Sequence, residues 1–128
     1  MLTTHDSEIR VRYQETDAQG RVHHANYLKW FELGRVELLR ASGHSYRELE
    51  EAGTYLVVAQ ATLKLFLPAF FDDVLIVRTT TVKAKGARIE HRYEVYRGSE
   101  LLAEGTTTVA CIDKNGRVSR LPQWLRMA

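Results

Sequence analysis

The sequence predicts an α+β fold in which a long central helix is wrapped by a five-stranded antiparallel sheet. Three observations predict it: one apolar stretch of helical character, four long strand-like segments after it, and one alternating segment before it. Helical and extended segments are grouped along the chain, which argues against a doubly wound parallel sheet. A fifteen-residue helix is about 22 Å long, whereas strands of ten to thirteen residues reach roughly 33 to 43 Å, so the sheet is expected to curl around the helix.

The first strand is predicted over Glu8 to Tyr13. Ile9, Val11 and Tyr13 alternate there with charged residues, which is typical of a strand with one wet face. This pattern places Tyr13 on the apolar face, where a core role is as plausible as hydrogen bonding. The polar stretch from Gln14 to Asn26 then predicts a loop.

The helix is predicted over Tyr27 to Ala41, with Asn26 as its N-cap and Gly43 just past its end. Its apolar residues spread around most of the circumference, which indicates a buried helix. Gly34 interrupts it at a cost of about 1 kcal/mol relative to alanine, and close approach of a neighbouring backbone would explain that glycine.

The rest of the chain predicts one short helix and four strands. Ser45 and Glu48 have the spacing of a capping box at the start of a helix near Tyr46 to Ala52. Proline, glycine and Asp-Asp or Asn-Gly turn signals then separate the strands. The predicted strands are Tyr55 to Leu67, Val74 to Lys85, Arg88 to Tyr96 and Leu101 to Asp113.

Length and composition restrict the protein class. The 128 residues predict a single domain over 1–128, and a net charge of +2 does not favour a dedicated nucleic-acid binder. The lone Cys111 excludes an internal disulfide and is expected to be a buried thiol. Without a signal-peptide pattern or an apolar run long enough to span a membrane, the expected location is cytoplasmic.

The loop before the long helix is the most informative segment for chemistry. It carries Asp17 close to a helix N-terminus, where free N–H groups can polarise a carbonyl oxygen or stabilise an oxyanion. A carboxylate in that position can activate water or attack an acyl group directly. In isolation, however, an aspartate there is more often a turn or cap residue.

The residue pattern of this loop resembles that of a known enzyme family. Its pattern is similar to that of the 4-hydroxybenzoyl-CoA thioesterase family, and the nearest likeness is to the short acyl-CoA thioesterases associated with the Tol-Pal system. The segment Pro68 to Val74 resembles a second, weaker signature of the family. The first pattern reads Tyr13-x-x-Thr16-Asp17-x-x-Gly20-x-x-x-His24-x-x-Tyr27, followed by Glu32 and Arg35.

The resemblance implies a hotdog fold and hydrolysis of an acyl-CoA thioester without a metal or other cofactor. Asp17 matches the catalytic aspartate of the family, while Tyr13 and His24 match positions that assist it or shape the site. The family's active sites lie at a dimer interface, so a homodimer or homotetramer is expected. Phe70 and Phe71 depart from the family's usual Arg and Tyr.

Arg21 and His23 stand where apolar or aromatic residues are common in the family. Adjacent histidines such as His23 and His24 lack the i, i+4 spacing of a helical zinc pair, so no metal site is predicted.

Two charged groups have both a structural and a functional interpretation. Lys83, Lys85 and Arg88 flank a turn and are candidate contacts for the phosphates of CoA, although a solvated sheet face is the plainer interpretation. Glu32 and Arg35 are spaced for an i, i+3 ion pair, with a role at an interface or in the site as the alternative.

Two other functions remain open. A hotdog dehydratase or hydratase would act on acyl-ACP or enoyl-CoA, but such enzymes carry a His-Phe-Pro-Gly-like segment that this sequence lacks. A non-catalytic acyl-CoA-binding subunit would share the fold, and the intact Asp17 pattern argues against it.

Overall fold

The computed structural model describes residues 2–127. One five-stranded sheet has the order β1-β3-β4-β5-β2, and every neighbouring pair is antiparallel. A long helix packs against the sheet, so the predicted α+β architecture is confirmed. The elements are β1 (Thr4–Arg10), α1 (Ala25–Ala41), α2 (Tyr46–Glu51), β2 (Thr54–Leu65), β3 (Val74–Lys85), β4 (Arg88–Arg97) and β5 (Glu100–Asp113).

The core lies between α1 and one face of β3, β4 and β5, where buried and more exposed residues largely alternate. Phe31 of α1 is fully buried and stacks on Tyr93 of β4, with the ring centroids 4.3 Å apart. Gly105 of β5 lies beneath this ring. A methyl group at position 105 would overlap Phe31 and the carbonyl oxygen of Thr62, so only glycine lets helix and sheet approach this closely.

The start of the chain corrects one predicted element. The first strand ends at Arg10 rather than at Tyr13, and a single 3₁₀ turn follows over Tyr13–Glu15. Tyr13 therefore leaves the apolar face predicted for it and is 77% exposed. The alternation of apolar and charged residues continues to the buried Val11. The strand nevertheless ends at Arg10, and the alternation alone does not reveal this end.

Helix α1 begins two residues earlier than predicted and ends as expected. His24, not Asn26, takes the N-cap position, while Gly43 follows the helix with φ +88°. Gly34 makes room for the side chain of Thr79 on β3 rather than for a backbone. At the start of α2 the Glu48 N–H donates to Ser45 Oγ (3.1 Å), which is one of the two bonds of the predicted capping box.

Two surfaces of the fold are left uncovered. Strand β2 lies at an edge of the sheet, and its positions 57–62 are exposed on both faces. Beside it, α1 exposes Leu28 and Leu33.

Cys111 is buried, as predicted. No helix among residues 2–127 is both long and apolar enough to cross a membrane.

His91 of β4 is a buried histidine whose Nδ1 has no hydrogen-bond partner among the described residues. Burial, reinforced by the nearby Arg35 cation, lowers the pKa of His91 from 6.5 to about 3. The unfolded chain therefore binds one more proton than the folded chain between these two values. Stability should fall as the pH drops from about 6.5 towards 3, by up to about 1.4 kcal/mol per pH unit.

We expect His91→Gln to remove this contribution, because glutamine does not titrate. Denaturant unfolding of both proteins at pH 7, 6, 5 and 4 checks it. The free energy of unfolding of the variant should change less steeply over this range, and a slope equal to that of the wild type would contradict the assignment.

Candidate active site

The loop between β1 and α1 contains a tight turn with Asp17 at its first position. The Asp17 N–H donates to the Arg21 carbonyl (2.8 Å), and the Gly20 N–H donates back to the Asp17 carbonyl (3.0 Å). Gly20 has φ +82°, a value that favours glycine. A bridge between Thr16 and Val22 closes the turn, so the position of Asp17 is fixed by backbone bonds on both sides.

The Asp17 carboxylate uses one oxygen and leaves the other available. Oδ1 accepts the N–H groups of Gln19 (2.8 Å) and Arg21 (3.3 Å), whereas Oδ2 accepts no hydrogen bond from residues 2–127. The residue is exposed. The carboxylate is therefore held in one orientation with an oxygen facing outward, as a base or nucleophile requires.

The same turn occurs a second time in the chain. Asp113 accepts the N–H groups of Asn115 (2.8 Å) and Arg117 (3.0 Å) through its own Oδ1, again in a D-x-x-G-R sequence. Asp113 ends β5, far along the chain from the α1 N-terminus. The turn is thus a structural unit, and what distinguishes Asp17 is its surroundings.

Glu15 anchors the loop and was not predicted from the sequence. Its carboxylate is 4% exposed and accepts the Arg12 N–H (2.7 Å) and Trp30 Nε1–H (3.0 Å). Its carbonyl accepts the His23 N–H (2.9 Å) and an Asn26 Nδ2–H (2.9 Å). These bonds fasten the loop to α1. The sequence did contain a signal for this role of Glu15, because a buried tryptophan such as Trp30 needs a hydrogen-bond acceptor for its indole N–H.

The N-terminus of α1 retains one free donor near this loop. His23 Nδ1, one residue before the N-cap, accepts the Ala25 N–H (3.2 Å). His24 makes no side-chain cap bond, its ring stacks on that of His23 with centroids 4.3 Å apart, and its backbone N–H reaches no acceptor among residues 2–127. This free N–H lies at the positive end of the helix dipole.

The segment that resembles the second signature lies beside the Asp17 loop. The Val22 N–H donates to the Ala69 carbonyl (2.9 Å), and Arg21 and Phe70 form a bridge. Phe71 contacts Tyr13 edge to face, with ring centroids 5.4 Å apart. Both signatures are therefore brought together, and Tyr13 belongs to an exposed aromatic pair.

A cavity of about 200 Å³ opens next to the loop. Arg21 and Val22 form one wall, Tyr27 of α1 forms another, and residues 65–68 after β2 complete it. Arg21 is thus a cation that lines a cavity close to Asp17. The sequence showed only that Arg21 stands where the family usually has an apolar or aromatic residue, and it did not predict this location.

The predicted phosphate contacts lie far from the Asp17 loop. Lys83 and Lys85 end β3, and Arg88 begins β4, all three exposed at that hairpin. The Asp17 loop is tied to residues 69–73, which immediately precede β3. The two groups are thus separated by the length of a twelve-residue strand, roughly 36 Å. A single chain therefore does not bring these residues to the Asp17 loop.

The predicted i, i+3 ion pair of Glu32 and Arg35 is wrong. Arg35 turns inward, is 8% exposed and donates from Nη1 to the Tyr93 hydroxyl (3.1 Å), which in turn lies 2.6 Å from Thr107 Oγ1. Glu32 stays exposed. Within residues 2–127, no cluster of three or more His, Cys, Asp or Glu side chains could hold a metal ion.

Comparison with known proteins identifies the family. Residues 11–128 match the model of the thioesterase-like superfamily. The acyl-CoA thioesterase YbgC of Haemophilus influenzae is 38% identical over 106 residues, which cover 82% of this chain and 78% of that protein.

Solved structures give the same result. The DHNA-CoA thioesterase of Staphylococcus aureus is 30% identical with a TM-score of 0.90, over 94% of this chain and 82% of that one. A hypothetical protein from Thermus thermophilus is 36% identical, also with a TM-score of 0.90, over 94% and 92% of the two chains. The chain therefore belongs to the thioesterase-like superfamily of hotdog-fold proteins.

Proposed function

We propose that the protein is an acyl-CoA thioesterase with Asp17 as its catalytic carboxylate. The observation that carries the proposal is the pairing of an oriented carboxylate, whose Oδ2 is free, with a loop that leads into the α1 N-terminus. Relatives named as acyl-CoA thioesterases support the reaction class. No cofactor is needed, because the chemistry requires only a carboxylate and hydrogen-bond donors.

In this proposal the thioester carbonyl oxygen accepts the His24 N–H, and negative charge that develops on it is stabilised there. Asp17 acts in one of two ways. As a base, it takes a proton from water while the water oxygen adds to the carbonyl carbon. The C–S bond then breaks, and the CoA thiolate takes that proton from the Asp17 carboxyl group. As a nucleophile, its Oδ2 displaces CoA to form a mixed anhydride, which water then hydrolyses.

The remaining side chains are assigned to binding. The exposed Tyr13–Phe71 pair and the cavity beside Arg21 offer apolar contact near the reacting carbon. At the level of subfamily, the loop pattern favours the short Tol-Pal-associated thioesterases within the 4-hydroxybenzoyl-CoA thioesterase family. We further propose a cytoplasmic enzyme that assembles as a homodimer or homotetramer, since the β2 edge and one side of α1 are uncovered.

A hydrolysis screen of the purified protein tests the function. Short, long and aromatic acyl-CoAs are supplied, and release of free CoA thiol is followed alongside binding. We expect turnover of at least one class. Hydration of an enoyl-CoA without thiol release would favour the dehydratase alternative, and binding without any turnover would favour the non-catalytic subunit.

Lys83, Lys85 and Arg88 remain proposed phosphate contacts, on the condition that a second copy brings its hairpin to the first copy's loop. We expect the triple alanine variant to raise KM for acyl-CoA more than it lowers kcat, because phosphate contacts bind ground and transition states alike. The difference should shrink at high salt.

A charge-matched control is the triple alanine variant of Arg40, Arg47 and Lys114, which removes three exposed cations from other places. Its KM should stay near that of the wild type. An unchanged KM in the hairpin variant would place the nucleotide elsewhere, and Arg21, beside Asp17, would be the next candidate.

A further inference from the structure

Arg21 carries a guanidinium group that no carboxylate among residues 2–127 neutralises. Its side chain is exposed and makes no hydrogen bond or ion pair with these residues. The donors of Arg21 are therefore available to a ligand. By contrast, three arginines that contact this loop or residues 68–73 are each paired with a carboxylate: Arg10 with Asp72 (3.2 Å), Arg12 with Glu15 (3.5 Å) and Arg97 with Asp73 (2.9 Å).

The backbone of Arg21 is part of the Asp17 turn. Its N–H donates to Asp17 Oδ1 (3.3 Å), and its carbonyl accepts the Asp17 N–H (2.8 Å). The bridge to Phe70 holds the same residue from its other side. The Arg21 guanidinium is therefore separated from the Asp17 carboxylate by no more than the length of one arginine and one hydrogen bond.

The cavity that Arg21 lines is otherwise mostly apolar. It measures about 200 Å³, with Val22 of the loop and Tyr27 of α1 on one side. Residues 65–68, a Leu-Phe-Leu-Pro stretch at the end of β2, line the other side. Pockets for drug-sized ligands measure about 300–1,000 Å³. The cavity therefore suits a short acyl chain and presents one cation to it.

We propose that this cavity holds the acyl chain of the substrate and that Arg21 pairs with a carboxylate group at the far end of that chain. The preferred substrates are then short acyl-CoAs of the dicarboxylic class. The inference rests on the proposed function, because it takes the thioester to lie at Asp17. Arg21 determines specificity in this assignment and takes no part in making or breaking bonds.

The short distance between Arg21 and Asp17 favours an anion on the acyl chain over the phosphates of CoA. With the thioester carbon at Asp17 Oδ2, a group that Arg21 binds lies only a few bonds from that carbon. The CoA phosphates are separated from the sulfur by the whole pantetheine arm, which is much longer than an arginine side chain. One guanidinium also matches one carboxylate, to which it can donate two parallel N–H bonds.

The same cation disfavours an uncharged chain. An acyl chain that fills the cavity displaces water from Arg21, and a cation that loses water without gaining an anion is destabilised. A terminal carboxylate replaces that water with charge-assisted hydrogen bonds. Arg21 therefore selects for one class of acyl chain and against the other.

Matched pairs of thioesters test the inference. Glutaryl-CoA is compared with pentanoyl-CoA, and adipoyl-CoA with hexanoyl-CoA, so each pair differs in one terminal group; enzyme-free hydrolysis rates are subtracted. We expect the wild type to favour the dicarboxylic member at least about tenfold in kcat/KM. Arg21→Gln and Arg21→Leu should remove this preference mainly through KM, whereas Arg21→Lys should keep part of it, because it retains the charge but not the paired donors.

Arg92→Gln is the control variant. It removes another exposed arginine, one that lies on β4 in register with Thr80 and Thr106 and does not line the cavity. Its preference should equal that of the wild type. Arg21→Gln should also fold, since backbone atoms hold Arg21 in the turn, and its melting temperature checks this.

Calorimetric titration of Asp17→Asn, with and without Arg21→Gln, measures binding of the four thioesters and of CoA apart from turnover. If no acyl-CoA is hydrolysed, the proposed function fails, and tighter binding of the dicarboxylic members that depends on Arg21 would still support the subsite. Equal kcat/KM within each pair, or a preference that survives Arg21→Gln, would overturn the inference alone. An equal loss of affinity for all four thioesters and for CoA would place a CoA phosphate at Arg21 and would also overturn it.

Discussion

Replacing Asp17 with asparagine is expected to lower kcat for acyl-CoA hydrolysis by at least about 100-fold, the scale of general-base catalysis. Asparagine has nearly the same size, and its oxygen can still accept the N–H groups of Gln19 and Arg21. The turn should therefore persist, whereas the charge and basicity that both mechanisms need are lost. KM should move much less than kcat.

The second D-x-x-G-R turn provides a matched control. Asp113→Asn makes the same change in a carboxylate with the same hydrogen bonds, away from the loop that carries the site. It should keep kcat close to the wild-type value. If Asp17→Asn also keeps wild-type kcat on the best substrate, the catalytic assignment is wrong.

Isotope labelling distinguishes the two mechanisms. Over several turnovers in ¹⁸O water, a nucleophilic Asp17 should acquire label in its own carboxylate, because water can resolve the anhydride at the aspartyl carbon. A general base leaves the enzyme unlabelled and places the label in the released acid. Mass spectrometry of the peptide that contains Asp17 measures this directly.

Phe31→Ala is expected to reduce the free energy of unfolding by about 3–5 kcal/mol, which is a large share of the 5–15 kcal/mol typical of a domain. The ring is fully buried, stacks on Tyr93 and fills the space above Gly105. Its removal leaves a cavity that the surrounding strands cannot close, because they are fixed by the sheet. Equilibrium urea unfolding measures the loss.

Phe71→Ala is the control, because it makes the same substitution at a residue that is 54% exposed. Its loss should be less than about 1 kcal/mol. A loss for Phe31→Ala no larger than that of the control would mean that the helix and sheet are not packed as described.

Regular elements were predictable from the sequence because their signals are local. The β3 boundaries match to the residue, and the Ser45 cap of α2 and the position of Gly43 just after α1 follow from neighbouring residues in the sequence. Alternation over Ile9 and Val11 could not show where the strand ends, because bonds from Val11 to distant residues 72 and 73 decide that point. Tyr13 was misplaced for this reason.

For the candidate site, the sequence pointed to particular residues but not to the contacts that hold them. The loop pattern singled out Asp17 and the helix N-terminus, and their catalytic roles stay predictions. The role of Glu15 depends on Trp30 fifteen residues away, and the inward turn of Arg35 depends on Tyr93 in another strand. Contacts of this kind join different elements, so the local periodicity of the sequence does not reveal them.

The link between the Asp17 loop and residues 68–73 has a consequence for how this enzyme could diversify. Val22 joins Ala69 through backbone atoms, and Arg21 faces Phe70 in a backbone bridge, so the link does not depend on the identity of these side chains. The exposed side chains of Arg21, Phe70 and Phe71 are therefore free to vary while Asp17 keeps its place. We therefore expect that variants with new acyl preferences can be selected from a library at these three positions without disturbing the Asp17 turn.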